Sequence, residues 1–547
     1  MKKVIIALLF LGLLALGYMR WQGQSKPTSP APVASSNSET VKTGGAPAGK
    51  AAREPAKGIV PTLTEPAAIM PPSTYVSKDG IIDIELSEYA GYAGLIYANG
   101  GLDPSEDSHF FRKHGFKVRI KLSESENWSP LNSGKIAATT STADVLAVNA
   151  HQLQVAVPMQ LSYSRGADSI VVVSGVKRIN DLKGKILVSS QFGEAEFFLR
   201  YLAQEAGIPV VNLKETERPK SDSINLRYAE DPFVAGDVFL ANMDEYSGFI
   251  GWEPKVGEVI EKSQGRAHAL VDNRNLLIIA DLLLVNKGFA QQNPAIVQGL
   301  VEGILTGNDT LRNDPTKAYP VLKKAFKWSP EDAKAELAKV HFSNHPENLA
   351  FFRGATDAAG SFSSIYQTSL YAFSDFVKHN VGADRFIDTR ALEAVKDQFA
   401  RQVANIEPIR TTQNAGIEGS PLLTRNVRFL FEPNSFALQA SKDNDRYYAD
   451  IKRLLDVSPG STVLLRGHVD NAQIEDFRKK GRESLVRRMA LSAVQLSRDR
   501  ANSVKGKLIK DYGITADRIE IVGRGWDEPI GTSDENRRVE VYWFTVE

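Results

Sequence analysis

From Tyr75 onward, apolar runs of strand length alternate with stretches of helical length, and that alternation confines the chain to an α/β architecture. "IIDIELSEYAGYAGLIYANGG" reads as a strand, a turn of small residues and a helix, and "FFRKHGFKVRIKL" as a helix end and a second strand. The rhythm continues through "SGKIAATTSTADVLAV", "QVAVPMQL", "SIVVV", "DLKGKILVSS", "AEFFLRYLAQEAGI" and "GDVFLANMDEY". Beyond about Asn286 the pattern turns mostly helical, as in "NPAIVQGLVEGILTGNDTL" and "LEAVKDQFARQV". No fixed-period repeat runs through it, which argues against a solenoid.

At 547 residues the chain is long enough for two or three cores. Its net charge of +1 offers no basic domain or stripe for nucleic acid, so none is expected as a partner. There is no cysteine, which removes disulfides, thiolate metal sites, a cysteine nucleophile and a lipid-modified N-terminus. "MKK" followed by the apolar run "VIIALLFLGLLALGYM" marks residues 1–21 as a signal or membrane anchor. The run is intermediate between a signal-peptide core and a full span, and Ala15-Leu16-Gly17 is a poor cleavage site. An uncleaved inner-membrane helix with the remainder in the periplasm is therefore expected. The alternative is a cleaved signal peptide and a wall-associated or outer-membrane-associated chain. Residues 22–75, rich in Pro, Ala, Ser, Gly and Thr, are expected to be a disordered tether with a random-coil span on the order of 40 Å.

The ordered series "GYAGLIYANGGL", "FFRKHGFKVRI", "LNSGKIAATTSTADVL", "GVKRINDLKGKILVS", "FFLRYLAQEAGI" and "GFIGWEP" resembles the NitT/TauT type of periplasmic solute-binding protein, a family that serves ABC importers. The resemblance covers residues 76–405 and implies two α/β lobes, the type II periplasmic-binding-protein fold, closing on a small polar solute like a hinge. In such sheets ligands sit outside the carboxyl ends of the strands. That rule selects loops at Ser87 to Tyr92, Thr139 to Asp144, Ser162 to Asp168, Ser189 to Glu194 and Asn242 to Tyr246. The candidate solute-binding residues are Ser87, Tyr89, Thr140, Ser141, Arg165, Ser190, Gln191 and Asp244, although Ser, Thr and Asp at such turns also serve as helix caps. These loops carry Glu88, Asp144, Asp168, Glu194, Asp244 and Glu245 against the single Arg165, so an oxyanion is no more expected than a neutral or amine-bearing ligand.

Enzyme readings find little support, and no cofactor or metal is expected. His341 and His345 have the spacing of two ligands on a helix, but the glutamate of an HExxH pattern is missing and Pro346 follows at once. The thiamine-pyrimidine synthases that share the solute-binding fold carry a cysteine-rich motif, which is absent here. There is no nucleophile elbow or phosphate-cradling loop.

A second linker, residues 406–421, precedes a βαβαβ segment at 422–547. It contains Gly467-His468-Val469-Asp470, then Leu496-Ser497 with Arg500, Ala501 and Val504, then Gly523 and Gly525, then Asn536 to Glu540. This series resembles the OmpA C-terminal-like peptidoglycan-binding domain, an α+β fold. The resemblance implies that Asp470 and Arg500 grip the zwitterionic end of diaminopimelate in a stem peptide, with Asn536 and Arg537 in support. The chemistry suits the pair, since a carboxylate accepts from an ammonium and a guanidinium takes a carboxylate through two parallel bonds. The alternative is an intramolecular Asp470–Arg500 ion pair. The family's threonine is replaced by Val469 and its asparagine by Ala493, and a basic insertion, residues 477–489, is either a solvated helix face or a contact for anionic wall polymer or lipid headgroups. The whole reads as an envelope-tethered solute-binding protein, with an ABC permease and peptidoglycan as implied partners. The alternative is a structural strut or sensor without a transport role.

Overall fold

The computed structural model describes residues 56–544 apart from 124–126, 215–216, 355–359, 380, 407–420, 428, 430, 433–434 and 459. The expected anchor 1–21, the first part of the tether and nearly all of the linker 406–421 lie outside the described residues. Among the described residues no helix is long and apolar enough to cross a membrane.

The chain enters on β1 (Ile59–Val60) and then forms β2 (Ile81–Leu86), β3 (Lys117–Leu122), β4 (Ala138–Thr142) and β5 (Val155–Ser164). It crosses to β6 (Asp168–Val173), β7 (Ile186–Ser190), β8 (Val210–Asn212), β9 (Ile224–Ala229), β10 (Gly248–Trp252) and β11 (Ala267–Asp272). It then returns in β12 (Ala280–Asn286) and β13 (Val340–Phe342). One sheet has the order β13-β5-β12-β4-β2-β3; the other has β1-β9-β7-β10-β6-β11, with β8 on β9. In both, two parallel strands flank a first, and a returning antiparallel strand closes the third, so β3-β2-β4-β12-β5 matches β9-β7-β10-β6-β11. This repeated order in two lobes, linked by two crossings, is the type II periplasmic-binding-protein fold. Helices on both faces explain why β4, β9 and β12 are buried along their whole length rather than alternating.

The crossings run through residues 165–167 and 273–279, and Asn273 ties them together. Its side chain donates to the Ser164 carbonyl at 3.2 Å and to Asp168 Oδ2 at 3.0 Å, and accepts from the amides of Gly166 at 2.6 Å and Asp168 at 3.2 Å.

Residues 56–75, expected as the end of the tether, are instead laid against the lobes. Ile59 and Val60 pair antiparallel with Ala229 and Tyr228. Thr62 donates to the Leu213 carbonyl, Ile69 N donates to Gln152 Oε1, and the buried Tyr75 donates its amide to Asn286. Composition misled here because the segment's few apolar side chains find an existing surface and its backbone finds an open sheet edge, which offsets the ordering cost that composition alone leaves uncovered.

The C-terminal segment forms β14 (Leu423–Val427), β15 (Thr462–Gly467), β16 (Ile519–Gly523) and β17 (Val539–Phe544) in the order β14-β17-β15-β16, with β15 and β16 parallel. Two helices pack on it, α1 (Lys442–Val457) and α2 (Ile474–Tyr512), around Tyr448, Val463, Leu465, Ala501, Val504 and Trp543. α2 is broken at Gly481 and Arg482, where the backbone leaves helical geometry. The basic insertion 477–489 is thus the exposed N-terminal extension of α2, held through Arg478 with Glu475 and Glu483 and through Phe477 against Trp526. The domain is fastened to the second lobe and to the second crossing. Ile179 N donates to the Leu422 carbonyl at 3.1 Å, Leu277 N to the Val457 carbonyl at 2.9 Å, and Thr424 N to Asn180 Oδ1 at 3.0 Å.

Candidate functional site

The parallel strands of both sheets point their carboxyl ends into the space between the lobes, where β2 ends at Leu86, β4 at Thr142, β7 at Ser190 and β10 at Trp252. Two adjoining cavities of about 60 and 50 Å³ lie there and share Ser87, Tyr92, Thr142, Glu194 and Trp252 as walls. Thr140 and Ser141 complete one; Tyr89, Ser164, Asp168 and Asp281 complete the other. A larger hollow of about 370 Å³ lies beside Lys287, Arg385 and Arg390, but it opens at the start of β5, the opposite end of that strand from Ser164. The cleft is therefore the candidate ligand site, as the topology of open sheets requires.

Of the solute residues expected from sequence, Ser87, Tyr89, Thr140 and Ser141 are brought together in these walls. Arg165, Ser190, Gln191 and Asp244 are not. Arg165 is buried and turned to the Arg274 carbonyl at 3.0 Å and Asn275 Oδ1 at 3.2 Å. Gln191 accepts from Leu63 N at 2.8 Å and donates to the Leu63 carbonyl at 2.9 Å, so it clasps the N-terminal segment. Ser190 is buried at the end of β7, and Asp244 is exposed outside the walls. His341 and His345 diverge: the first bonds Glu347 at 3.0 Å and the second the Leu392 carbonyl at 2.9 Å.

The electrostatics of the cleft are one-sided. Asp168, Glu194 and Asp281 line it, with Asp144 close behind. Asp281 accepts from Ser162 at 2.7 Å and from Tyr92 at 3.4 Å, and Asp168 from Ser164 and Asn273. Burial pushes the Asp168 carboxyl up to about 7, Asp144 and Asp281 well above the usual carboxylate range, and Glu194 upward as well. Glu88, by contrast, is engaged by Trp328 Nε1 at 2.7 Å. Asp281 and Trp252 were missed by sequence reasoning. The signals were a carboxylate heading the otherwise apolar "ADLLLVN" and the aromatic ring closing "GFIGW".

In the C-terminal domain, Asp470 touches the short helix Ser533–Asn536, and Arg500 lies near Arg537, the residue that follows it. Asp470 accepts from Ser533 Oγ and, at 3.0 Å, from Ala472 N. Arg500, 4% exposed, donates Nε to the Ser435 carbonyl at 3.1 Å and lies 5.2 Å from the centre of the Phe431 ring. Burial, with the like charge of Arg537 nearby, lowers its basicity, and no described carboxylate pairs with it. Asn536 is buried; it accepts from Ile530 N at 2.8 Å and donates to the Gly531 carbonyl at 3.2 Å, bracing the turn before Arg537, which is exposed. Ser497 of the same motif accepts from Gly525 N at 2.9 Å and is structural.

A charged cluster beside this site was not read from the sequence. Arg466 grips both oxygens of Glu528 at 2.7 Å, Arg538 grips Glu540 at 2.6 Å, and His468 Nε2 lies 3.4 Å from Glu540. His468, Glu528 and Glu540 come within the span of one metal ion, but the two guanidinium groups already hold the carboxylates and oppose a cation there.

The two lobes thus share the periplasmic-binding-protein topology with a cleft at the strand carboxyl ends, and a separate α+β domain follows them. Residues 105–318 match the family described as NMT1/THI5 like, and residues 430–541 match the OmpA family. Outer membrane porin F of Pseudomonas aeruginosa is 29% identical over 142 residues, covering 24% of this chain and 35% of that protein. Outer membrane protein Omp38 of Acinetobacter baumannii is 30% identical over 147 residues, covering 25% and 35%. The chain thus spans about a third of the length of these curated relatives. Among solved structures, the alkanesulfonate-binding protein SsuA from Xanthomonas axonopodis pv. citri is 14% identical with a TM-score of 0.42, covering 57% of this chain and 99% of that one. The nitrate-binding protein NrtA from Synechocystis is 12% identical with a TM-score of 0.42, covering 59% and 90%.

Proposed function

We propose that this protein captures a small polar solute in its interlobe cleft, for delivery to an ABC importer, while its C-terminal domain holds the cell wall. The chain then resides in the periplasm, with the N-terminal segment at the inner membrane and residues 422–547 on peptidoglycan. Asp470 takes the ammonium and Arg500 the carboxylate of a diaminopimelate centre, with Asn536 and Arg537 shaping the turn between them.

The observation that carries the wall-binding reading is the state of Arg500. A buried guanidinium beside a second arginine, with no carboxylate partner among the described residues, calls for an external anion. An internal Asp470–Arg500 brace would have left both groups neutralised. The solute reading is supported by the walled cavities at the carboxyl ends of the strands and by the hinge at Asn273.

Co-sedimentation with purified peptidoglycan tests the first half. The intact protein should pellet with the wall, and Asp470→Ala and Arg500→Ala should each reduce pelleting of the folded protein. Undiminished pelleting of both variants would refute the assignment. A thermal-shift screen of small solutes tests the second half, since a ligand that binds the folded cleft raises the melting temperature.

A further inference from the structure

We infer that the interlobe cleft takes a small organic cation, an amine or guanidinium, in preference to an oxyanion. The inference rests on the reading of this cleft as the solute site and names the chemistry of its ligand.

Three carboxylates, Asp168, Glu194 and Asp281, form part of the walls, and none of the residues lining either cavity is a lysine, arginine or histidine. Arg165, the only basic residue in the sequence-selected loops, directs its guanidinium to the Arg274 carbonyl and Asn275. An oxyanion entering here would find hydroxyl, amide and indole donors but no fixed positive charge beside the three acids, whereas a cation would supply what the acids lack.

Independent of the acids, the cleft holds polar groups waiting for a partner. The Thr142 hydroxyl belongs to both cavity walls in a residue 6% exposed, and beyond its approach to Asp144 it makes no hydrogen bond of good geometry. The Tyr89 hydroxyl in the wall, which faces Ser164, and both oxygens of the fully buried Asp144 just behind Thr142 likewise make no hydrogen bond of good geometry. Buried polar atoms left unpaired are costly, and their concentration at one place marks a position that a ligand completes. Hydroxyl and carboxylate oxygens can all accept, so a ligand rich in N–H donors can engage them together.

The same walls carry Tyr89, Tyr92 and Trp252, whose ring faces attract an ammonium or guanidinium. The acids do not gather three oxygens within the span of one metal ion among the described residues, in contrast to the His468 cluster, so the arrangement suits a spread organic cation better than a bare metal. The small cavity volumes limit the ligand to few heavy atoms.

Calorimetric titration of the full-length protein at pH 8 provides the test. One panel is methylamine, ethanolamine, putrescine and guanidinium; the second is nitrate, sulfate and ethanesulfonate; the third is magnesium and calcium chloride. Saturable binding is expected from a member of the first panel only, weakened at least tenfold by Glu194→Gln, with Asp281→Asn as a second variant should Glu194→Gln not fold. Saturable binding of an oxyanion or of a divalent metal that depends on these residues overturns the cation assignment and leaves the solute-binding function standing. Binding from no panel overturns both.

Discussion

Arg453 of the C-terminal domain donates two hydrogen bonds, at 2.6 and 3.2 Å, to one oxygen of Glu205, a fully buried residue of the second lobe. Arg425 stands 3.7 Å from the other oxygen and is also bound to Asp450 at 3.0 Å. Burial raises the Glu205 carboxyl while the two arginines oppose that shift. Deleting Arg453 would leave a buried carboxylate half compensated, a loss of about 3 kcal/mol. Arg453→Ala should therefore split a joint melting transition into two, as seen by calorimetry. Glu205→Leu combined with Arg453→Met, which removes both charges, should restore most of the loss.

A second expectation concerns pH. Asp168 carries its proton up to about pH 7 in the folded protein, held there by burial with some contribution from Glu194, against the opposing bonds from Ser164 and Asn273. Its folded value exceeds its unfolded one, so the folded state binds more protons between them and stability falls as pH rises from about 4 to about 7. The contribution is at most about 4 kcal/mol. Urea unfolding at several pH values should show this decline in the wild type and a flatter profile in Asp168→Asn. An identical slope in both would remove Asp168 as its source.

Arg500→Lys separates charge from shape at the wall site. Lysine preserves the positive charge but loses the planar fork that pairs with a carboxylate, so peptidoglycan affinity should fall nearly as far as with alanine. The charge-assisted contact is worth roughly 1.5 to 3 kcal/mol, more than a tenfold change in affinity. Wild-type affinity in Arg500→Lys would mean that no bidentate contact is made.

Gly467 sits where α2 crosses β15. A Cβ there would come within 1.9 Å of the Ser497 carbonyl oxygen, and one at Gly523 within 2.4 Å of the Val494 carbonyl. Backbone cannot yield as a side-chain tip can, so Gly467→Ala should destabilise the C-terminal domain by more than about 2 kcal/mol. Its melting transition reports this, and an unchanged transition would show that the helix can lift from the sheet.

Much of this was legible in the chain. Short apolar strands spaced by helices foretold the α/β architecture, because strand and helix periods are local properties, whereas the close crossing at Gly467 and Gly523 is seen only in the fold. Ser87, Tyr89, Thr140 and Ser141, selected by the rule that ligands gather at strand carboxyl ends, do line the cleft cavities. Arg165 and Gln191 obeyed the same rule but found other partners, Arg165 at Arg274 and Asn275 and Gln191 at Leu63, residues distant in sequence. Residues 56–75 were misread for a similar reason, since the sheet edge that β1 joins belongs to β9, far along the chain.

Local order in the chain thus gave the α/β rhythm and the C-terminal βαβαβ segment, while the two lobes and the candidate wall pair Asp470 and Arg500 came from the resemblance of its motifs. Long-range packing alone brought Asp168, Glu194 and Asp281 into one cleft and pressed Arg453 onto Glu205. The division has a physical cause. Backbone periodicity and turn chemistry act over a few residues, whereas burial, and with it the energy of every charge in these sites, depends on neighbours that only the closed fold supplies.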